Sequence, residues 1–131
     1  MDTARRFHPA FNRAFKEGSD ELFELLDRNA EWIPLTAVLD GIAYRGEEEV
    51  RAWIEEIRQQ WDSYEIVSSE YRDLGDGRVL ILGTWRARGR NSGVELDSQP
   101  AAWLVDCEAG RITRMQTFTD RAKAFEVAGL E

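Results

Sequence analysis

Cysteine and histidine occur once each in this sequence, at Cys107 and His8, and those two scarcities exclude a good deal of chemistry. A lone cysteine forms no internal disulfide. A lone histidine builds neither a Ser-His-Asp triad nor a His-rich metal site within one chain. His8 reads as a partly exposed helix residue, and Cys107 as a structural thiol in the last hairpin turn. No apolar run approaches the ~20 residues of a membrane span. The N-terminus, MDTARRFHPAF, lacks the apolar segment and small-residue cleavage site of a signal peptide, so a cytoplasmic location is expected. Basic residues are in deficit, 17 against 25 acidic, and the net charge of −8 repels phosphate backbones and anionic lipid. Nucleic acid and membranes are therefore not expected partners. The acidic run Glu47 to Glu49, with Glu55 and Glu56, reads as a solvated helix face. Gly75-Asp76-Gly77 separates two strands and opens no helix, so it is no phosphate cradle. Neither a cofactor motif nor a metal site is expected.

What is present is the composition of a folded domain. With 43% hydrophobic and 32% charged residues over 131 positions, the chain reads as one domain, 1–131. Phe7, Phe11, Ala14 and Phe15 form one apolar stripe of a helix from about Asp2 or Thr3 to Lys16, with Pro9 as a complication that delays the regular helix to near His8. Ser19 or Asp20 then caps a second helix that carries Leu22, Phe23, Leu25 and Leu26 and ends near Asn29. Short strands are expected at Glu31 to Leu35 and Ile42 to Arg45. The clearest helix begins at Glu47, with Val50, Trp53, Ile54, Ile57 and Trp61 on its inner face. Four strands follow, Tyr64 to Leu74, Arg78 to Arg90, Val94 to Asp106 and a last one after Gly110. Their turns fall at Asp76-Gly77, Ser92-Gly93 and Ala109-Gly110. Asp120 then caps a terminal helix ending at Gly129. This order is α+β, a curved antiparallel sheet with three N-terminal helices on its concave face and a short C-terminal helix.

The closing stretch GRITRMQTFTDRAKAFEVAGL, from Gly110 to Leu130, resembles the SnoaL-like branch of the NTF2-like superfamily, which includes polyketide cyclases and ketosteroid isomerases. GIAYRG before the third helix and SGVELD after the second hairpin turn resemble it too. The resemblance implies a cone-shaped pocket between sheet and helices. An overlay through GRITRMQTF places Ile81, Gly83, Trp85 and Ala87 inward, with Asp97, Gln99, Ala101 and Trp103, and then Met115, Thr117 and Thr119. A single bulge would invert part of this set, and Pro100 makes one plausible.

Carried onto this chain, the isomerase tyrosine falls at about Phe11, the base aspartate at about Ile33 beside Pro34, and the protonated aspartate at Ala101 or Ala102. None of these side chains can donate or accept a proton, so the resemblance carries the pocket without the isomerase acid-base set. The aspartate of SnoaL-type cyclases, near Ala101 or Ala102, is missing as well.

Three polar groups remain as catalytic candidates. Asp97 would be a desolvated carboxylate beside Trp85 and Trp103, or simply an exposed residue near the strand start. Asp120 would face the cavity, or only cap the terminal helix. Tyr44 would put its hydroxyl at the pocket mouth, or in water at a strand end. Arg86 and Arg88 fall on the opposite parity. The ligand-binding set is Phe11, Ile33, Trp53, Ile57, Trp85, Gln99, Trp103, Met115 and Thr117. Five tryptophans, at 32, 53, 61, 85 and 103, suit a core or an aromatic-lined cavity.

Two classes of function follow. One is a binder of a small apolar or aromatic molecule, with an enzyme of the cyclase, isomerase or hydrolase kind as its catalytic form. The other is a non-catalytic dimeric interaction module. A homodimer is expected through the outer sheet face, where Leu80, Leu82, Leu96 and Leu104 form an apolar patch.

Overall fold

The computed structural model describes residues 1–91 and 93–130. The first helix, α1 (Asp2–Glu17), buries Ala4, Phe7, Ala10, Phe11, Ala14 and Phe15 along one stripe. Pro9 lies inside this helix and does not delay it. It sits on the exposed side, where the Arg5 carbonyl that loses its helical N–H partner is on the solvent side of the helix. His8 is not a surface residue: it is 1% exposed, because it follows Phe7 on the side of α1 that leans on Trp103 and Ser68.

α2 (Glu21–Leu25) is shorter than its spacing suggests, and the chain enters β1 (Leu26–Ile33) where helix was expected to run on to Asn29. Pairing outweighs local periodicity here: Leu26 lies opposite Ile112, and Trp32 opposite Met115, on the last strand. This pairing is parallel, whereas the other strand pairs among the described residues are antiparallel. A one-turn helix, α3 (Ala37–Asp40), and a two-residue strand, β2 (Tyr44–Arg45), lead into α4 (Gly46–Gln60). α4 buries Val50, Trp53, Ile54 and Ile57. Trp61, expected at the end of that stripe, is instead the first residue of β3 (Trp61–Gly75).

β4 (Arg78–Gly89), β5 (Glu95–Glu108) and β6 (Arg111–Phe118) complete the sheet. Asp76-Gly77 and Ala109-Gly110 turn with φ of 54° and 80°, and 53° and 79°, the paired positive values a tight two-residue hairpin needs. The turn expected at Ser92-Gly93 includes Ser92, which lies outside the described residues. Cys107 lies within β5, just before the last turn, and burial raises its thiol pKa. α5 (Arg121–Ala128) follows Asp120, whose carboxylate accepts the backbone N–H groups of Ala122 and Lys123.

The strand order is β2-β1-β6-β5-β4-β3, in a curved, unclosed sheet. Two bulges shape it. In β3, Ser68 pairs with Gly83 and Glu70 with Leu82, so Ser69 is the extra residue. The chain there bends so far over β4 that a Cβ on Gly83 would stand 2.1 Å from the Val67 carbonyl oxygen. In β5, Gln99 pairs with Trp85 and Leu96 with Ala87, so Asp97 and Ser98 together oppose Arg86. Ser98 takes φ 48° to do so. At this free end of β5 the second bulge inverts the expected parity: Leu96 moves to the inner register of Ala87, and Asp97 leaves it.

α1, α2 and α4 cover the inner face and enclose the larger core. α5 covers the outer face. Leu80, Leu82, Ala102, Leu104 and Phe118 are buried there with Ala124, against Leu74, Phe125 and Ala128. Three of the four leucines on which the expected homodimer rested are therefore already covered within one chain, and the fourth, Leu96, is on the inner register. The remaining outer surface of β3 and β4 carries Arg86 paired to Glu65 and Arg88 to Glu95, with Val67 exposed among them.

Candidate binding cavity

The inner face and the helices meet at a cavity whose wall is drawn from two helices and five strands. α1 supplies Phe7 and Phe11, β1 supplies Trp32, the segment after it Pro34 and Leu35, and α4 supplies Trp53. From the meander come Tyr64 and Ile66 of β3, Trp85 of β4, Trp103 of β5, and Met115 and Thr117 of β6. Strand alternation explains the selection: residues two apart on each strand point to the same side. The aromatic rings lock one another. Trp32 lies 5.7 Å from Phe7 and 5.8 Å from Trp53, and Tyr64 stacks on Trp85 at 5.8 Å and 20°. The free space is about 10 Å³, room for a single water.

No carboxylate, ammonium, guanidinium or imidazole lines this cavity. Its polar side-chain atoms are the indole N–H groups and the hydroxyls of Tyr64 and Thr117. The Trp53 N–H donates to Thr36 Oγ1 at 3.1 Å, which ties the helix to the Pro34–Leu35 rim. The Thr117 hydroxyl reaches only the Met115 sulfur, at 3.4 Å. The Trp32 indole nitrogen is fully buried and has no hydrogen-bond partner. Burial pushes the Tyr64 phenol well above its ordinary pKa, so it stays protonated.

Of the ligand-binding set read from the sequence, Phe11, Trp53, Trp85, Trp103, Met115 and Thr117 line the cavity. Ile33 does not: Trp32 and Pro34 take the inward positions of its strand, and Ile33 faces a separate open groove with Gln116, Thr119, Asp120 and Lys123. Ile57 is buried in the helix-sheet core away from the wall. Gln99 turns back, its amide donating to the Asp97 carbonyl at 2.9 Å. The three catalytic candidates lie elsewhere. Asp97 is exposed beside Arg86 and Arg88, displaced by the β5 bulge. Asp120 is the exposed cap of α5. Tyr44 packs its ring 6.4 Å from Trp53, outside the wall; burial, then Glu56 and Asp40, raise its phenol pKa. The sequence reading did not select Phe7, Trp32, Pro34, Leu35, Tyr64 or Ile66. Alternation in Tyr64-Glu65-Ile66 was the available signal for two of them.

His8 is outside the cavity wall but touches it through Trp103, with ring centroids 4.3 Å apart. Its Nδ1 hydrogen-bonds Ser68 Oγ, its Nε2 has no partner, and burial lowers its pKa to about 3. So weak a base cannot activate the serine hydroxyl at neutral pH. Among the described residues no three His, Cys, Asp or Glu side chains converge as metal ligands. No helix among them is long and apolar enough to cross a membrane.

A helix-covered, curved six-stranded sheet around an inner cavity is the architecture of the NTF2-like fold, and solved structures agree. An NTF2-like protein of unknown function from Burkholderia pseudomallei K96243 is 20% identical, with 98% of each chain covered and a TM-score of 0.73. A protein described as a SnoaL-like polyketide cyclase, from Shewanella putrefaciens CN-32, is 14% identical over 99% of this chain and 96% of its own, with a TM-score of 0.72. TerC, co-crystallised with polyporic acid, is 17% identical over 97% of this chain and 98% of its own, with a TM-score of 0.71. No protein-family model matches the sequence, and no curated protein matches it. The chain has the NTF2-like fold, and its neighbours include the cyclase and isomerase-like branches that its closing stretch resembles.

Proposed function

We propose that the protein binds a small, neutral, apolar or aromatic molecule in the cavity between Trp32, Trp85 and Trp103, and performs no acid-base chemistry on it. The observation that carries this reading is the composition of the wall: mostly aromatic, otherwise apolar but for Thr117, and without an ionisable base or acid active at neutral pH. Apolar walls with a few placed polar atoms are what small-molecule sites share. Entry requires the rim to yield, because the free space is only about 10 Å³. Leu35 and Trp85, both half-buried, are the side chains placed to move. TerC, of similar fold, was co-crystallised with polyporic acid, which supports small-molecule binding here.

Chemistry of the isomerase kind would need a proton donor and a base in the wall. Phe11 occupies the wall where the donor would be, and Ile33 points away from it. A positioned base contributes roughly 10²- to 10⁴-fold and an oxyanion donor roughly 10²- to 10³-fold, so no ketosteroid isomerisation at an enzymatic rate is expected. Tryptophan fluorescence titrated with naphthalene should change saturably. Trp85→Ala should weaken that response about tenfold by removing an aromatic wall, and Arg88→Ala, on the outer face, should leave it unchanged. Equal responses of the two variants would contradict the assignment. One observation favours the second reading, a non-catalytic interaction module: a cavity this nearly filled can serve purely as core. That reading requires no saturable response at all.

A further inference from the structure

Trp32 carries a hydrogen-bond donor that nothing in the protein uses. Its side chain is 1% exposed, and its Nε1 is buried without a partner. A buried donor left unpaired costs free energy, and native structures leave few of them. The rings around it, Phe7, Phe11 and Trp53, lie within 6.2 Å and offer π faces but no lone pair. On the neighbouring strand, Met115 pairs directly with Trp32, and Thr117 follows two residues later on the same face. The Thr117 hydroxyl is satisfied only by a thioether sulfur, a weak acceptor. Among the donors of the cavity wall, the Trp32 N–H is the fully buried one without a partner, and the weakly engaged Thr117 hydroxyl lies on the adjacent strand, in a largely aromatic surround without any charge.

We infer that Trp32, seconded by Thr117, recognises a hydrogen-bond-accepting oxygen on the ligand, so that the ligand class is a small neutral aromatic carbonyl compound and not a plain hydrocarbon. This rests on the binding function proposed above and specifies it. A carbonyl oxygen has two lone pairs, one for each donor. A carboxylate or phenolate would lose its hydration to a site with only neutral donors, in a protein of net charge −8, and is disfavoured. An ammonium would meet no carboxylate in the wall.

The test compares two probes of one shape, indane and 1-indanone, on the full chain. In ¹⁵N-labelled protein the indole N–H resonance missing from Trp32→Phe identifies Trp32. With 1-indanone it should move downfield as its hydrogen bond forms, and with indane it should not. Trp32→Phe, which keeps an aromatic ring in the wall, should weaken 1-indanone about tenfold, the worth of one hydrogen bond, and leave indane within about twofold. If 1-indanone binds in the wild type but the Trp32 resonance does not move downfield, or if Trp32→Phe weakens both probes equally, the inference fails while the apolar binding function stands. If neither probe binds, both fall together. If the variant does not fold, through-space contacts of the indole N–H with the Phe7 ring assign the same resonance, and its shift in the wild type decides the question.

Discussion

Acidification is expected to destabilise this protein by about 1.4 kcal/mol for each pH unit below about 6.5. The cause is His8. Folded, its pKa is lowered to about 3 by desolvation; unfolded, it returns to the ordinary value near 6.5. Between these values the unfolded chain holds a proton that the folded chain does not, so each step down in pH favours unfolding. Above the unfolded value neither state holds the proton and the effect vanishes. Below about pH 3 both hold it and the loss stops growing. No carboxylate hydrogen-bonds the ring: Nδ1 meets Ser68, Nε2 meets nothing, and Phe7 and Trp103 enclose the rest. Urea unfolding at pH 7 and pH 5 should show the drop, and His8→Asn, which cannot titrate, should flatten it across that interval. A wild-type stability that stays level from pH 7 to 5 would contradict the burial of this ring.

Gly83→Ala is expected to cost about 3 kcal/mol, lowering the midpoint of thermal unfolding by about 10 °C. The reason is a collision with backbone. The new methyl would stand 2.1 Å from the Val67 carbonyl oxygen and 3.0 Å from its carbon, and neither can rotate away as a side-chain tip could. Relief requires β3 to lift from β4 at the Ser69 bulge, which flattens the bend that lets the sheet wrap the cavity. Gly41→Ala is the control. Gly41 has a left-handed φ of 70° and open space around its Cβ position, so only backbone strain of about 1 kcal/mol applies. Gly83 is not in that left-handed region, so its substitution reports the collision alone. If the two variants are equally stable, the close approach of β3 is not part of the fold.

The strands could be read from the sequence where alternation was uninterrupted. Ile81, Trp85 and Ala87 on β4, and Met115 and Thr117 on β6, face inward as their parity requires. Reading failed where a bulge or a long-range pairing intervened. Asp97 kept its expected parity only as long as β5 was taken as regular, and the extra residue at Ser98 turned it to solvent. Leu26 to Asn29 carry helical spacing, but the partner that makes them a strand lies more than eighty residues away, in β6. The strand expected from Glu31 was legible in its second half, but not its facing, because the large apolar neighbours Trp32 and Ile33 give no parity signal. His8 was legible after all: Ala4, His8, Phe11 and Phe15 follow i, i+4, i+7 and i+11, and only the habit of placing histidine outside argued against its burial. Leu80, Leu82 and Leu104 lie on the outer face as expected, and what covers them is α5 of the same chain.

The central claim, that the aromatic cavity is a ligand site held shut by its rim, is tested most directly by a crystal structure of the protein grown with naphthalene. The account expects ring density between Trp32, Trp85 and Trp103, with Leu35 swung away from the wall and the sheet unchanged. Density confined to surface grooves, with Leu35 and Trp85 still closing a space of about 10 Å³, would contradict it.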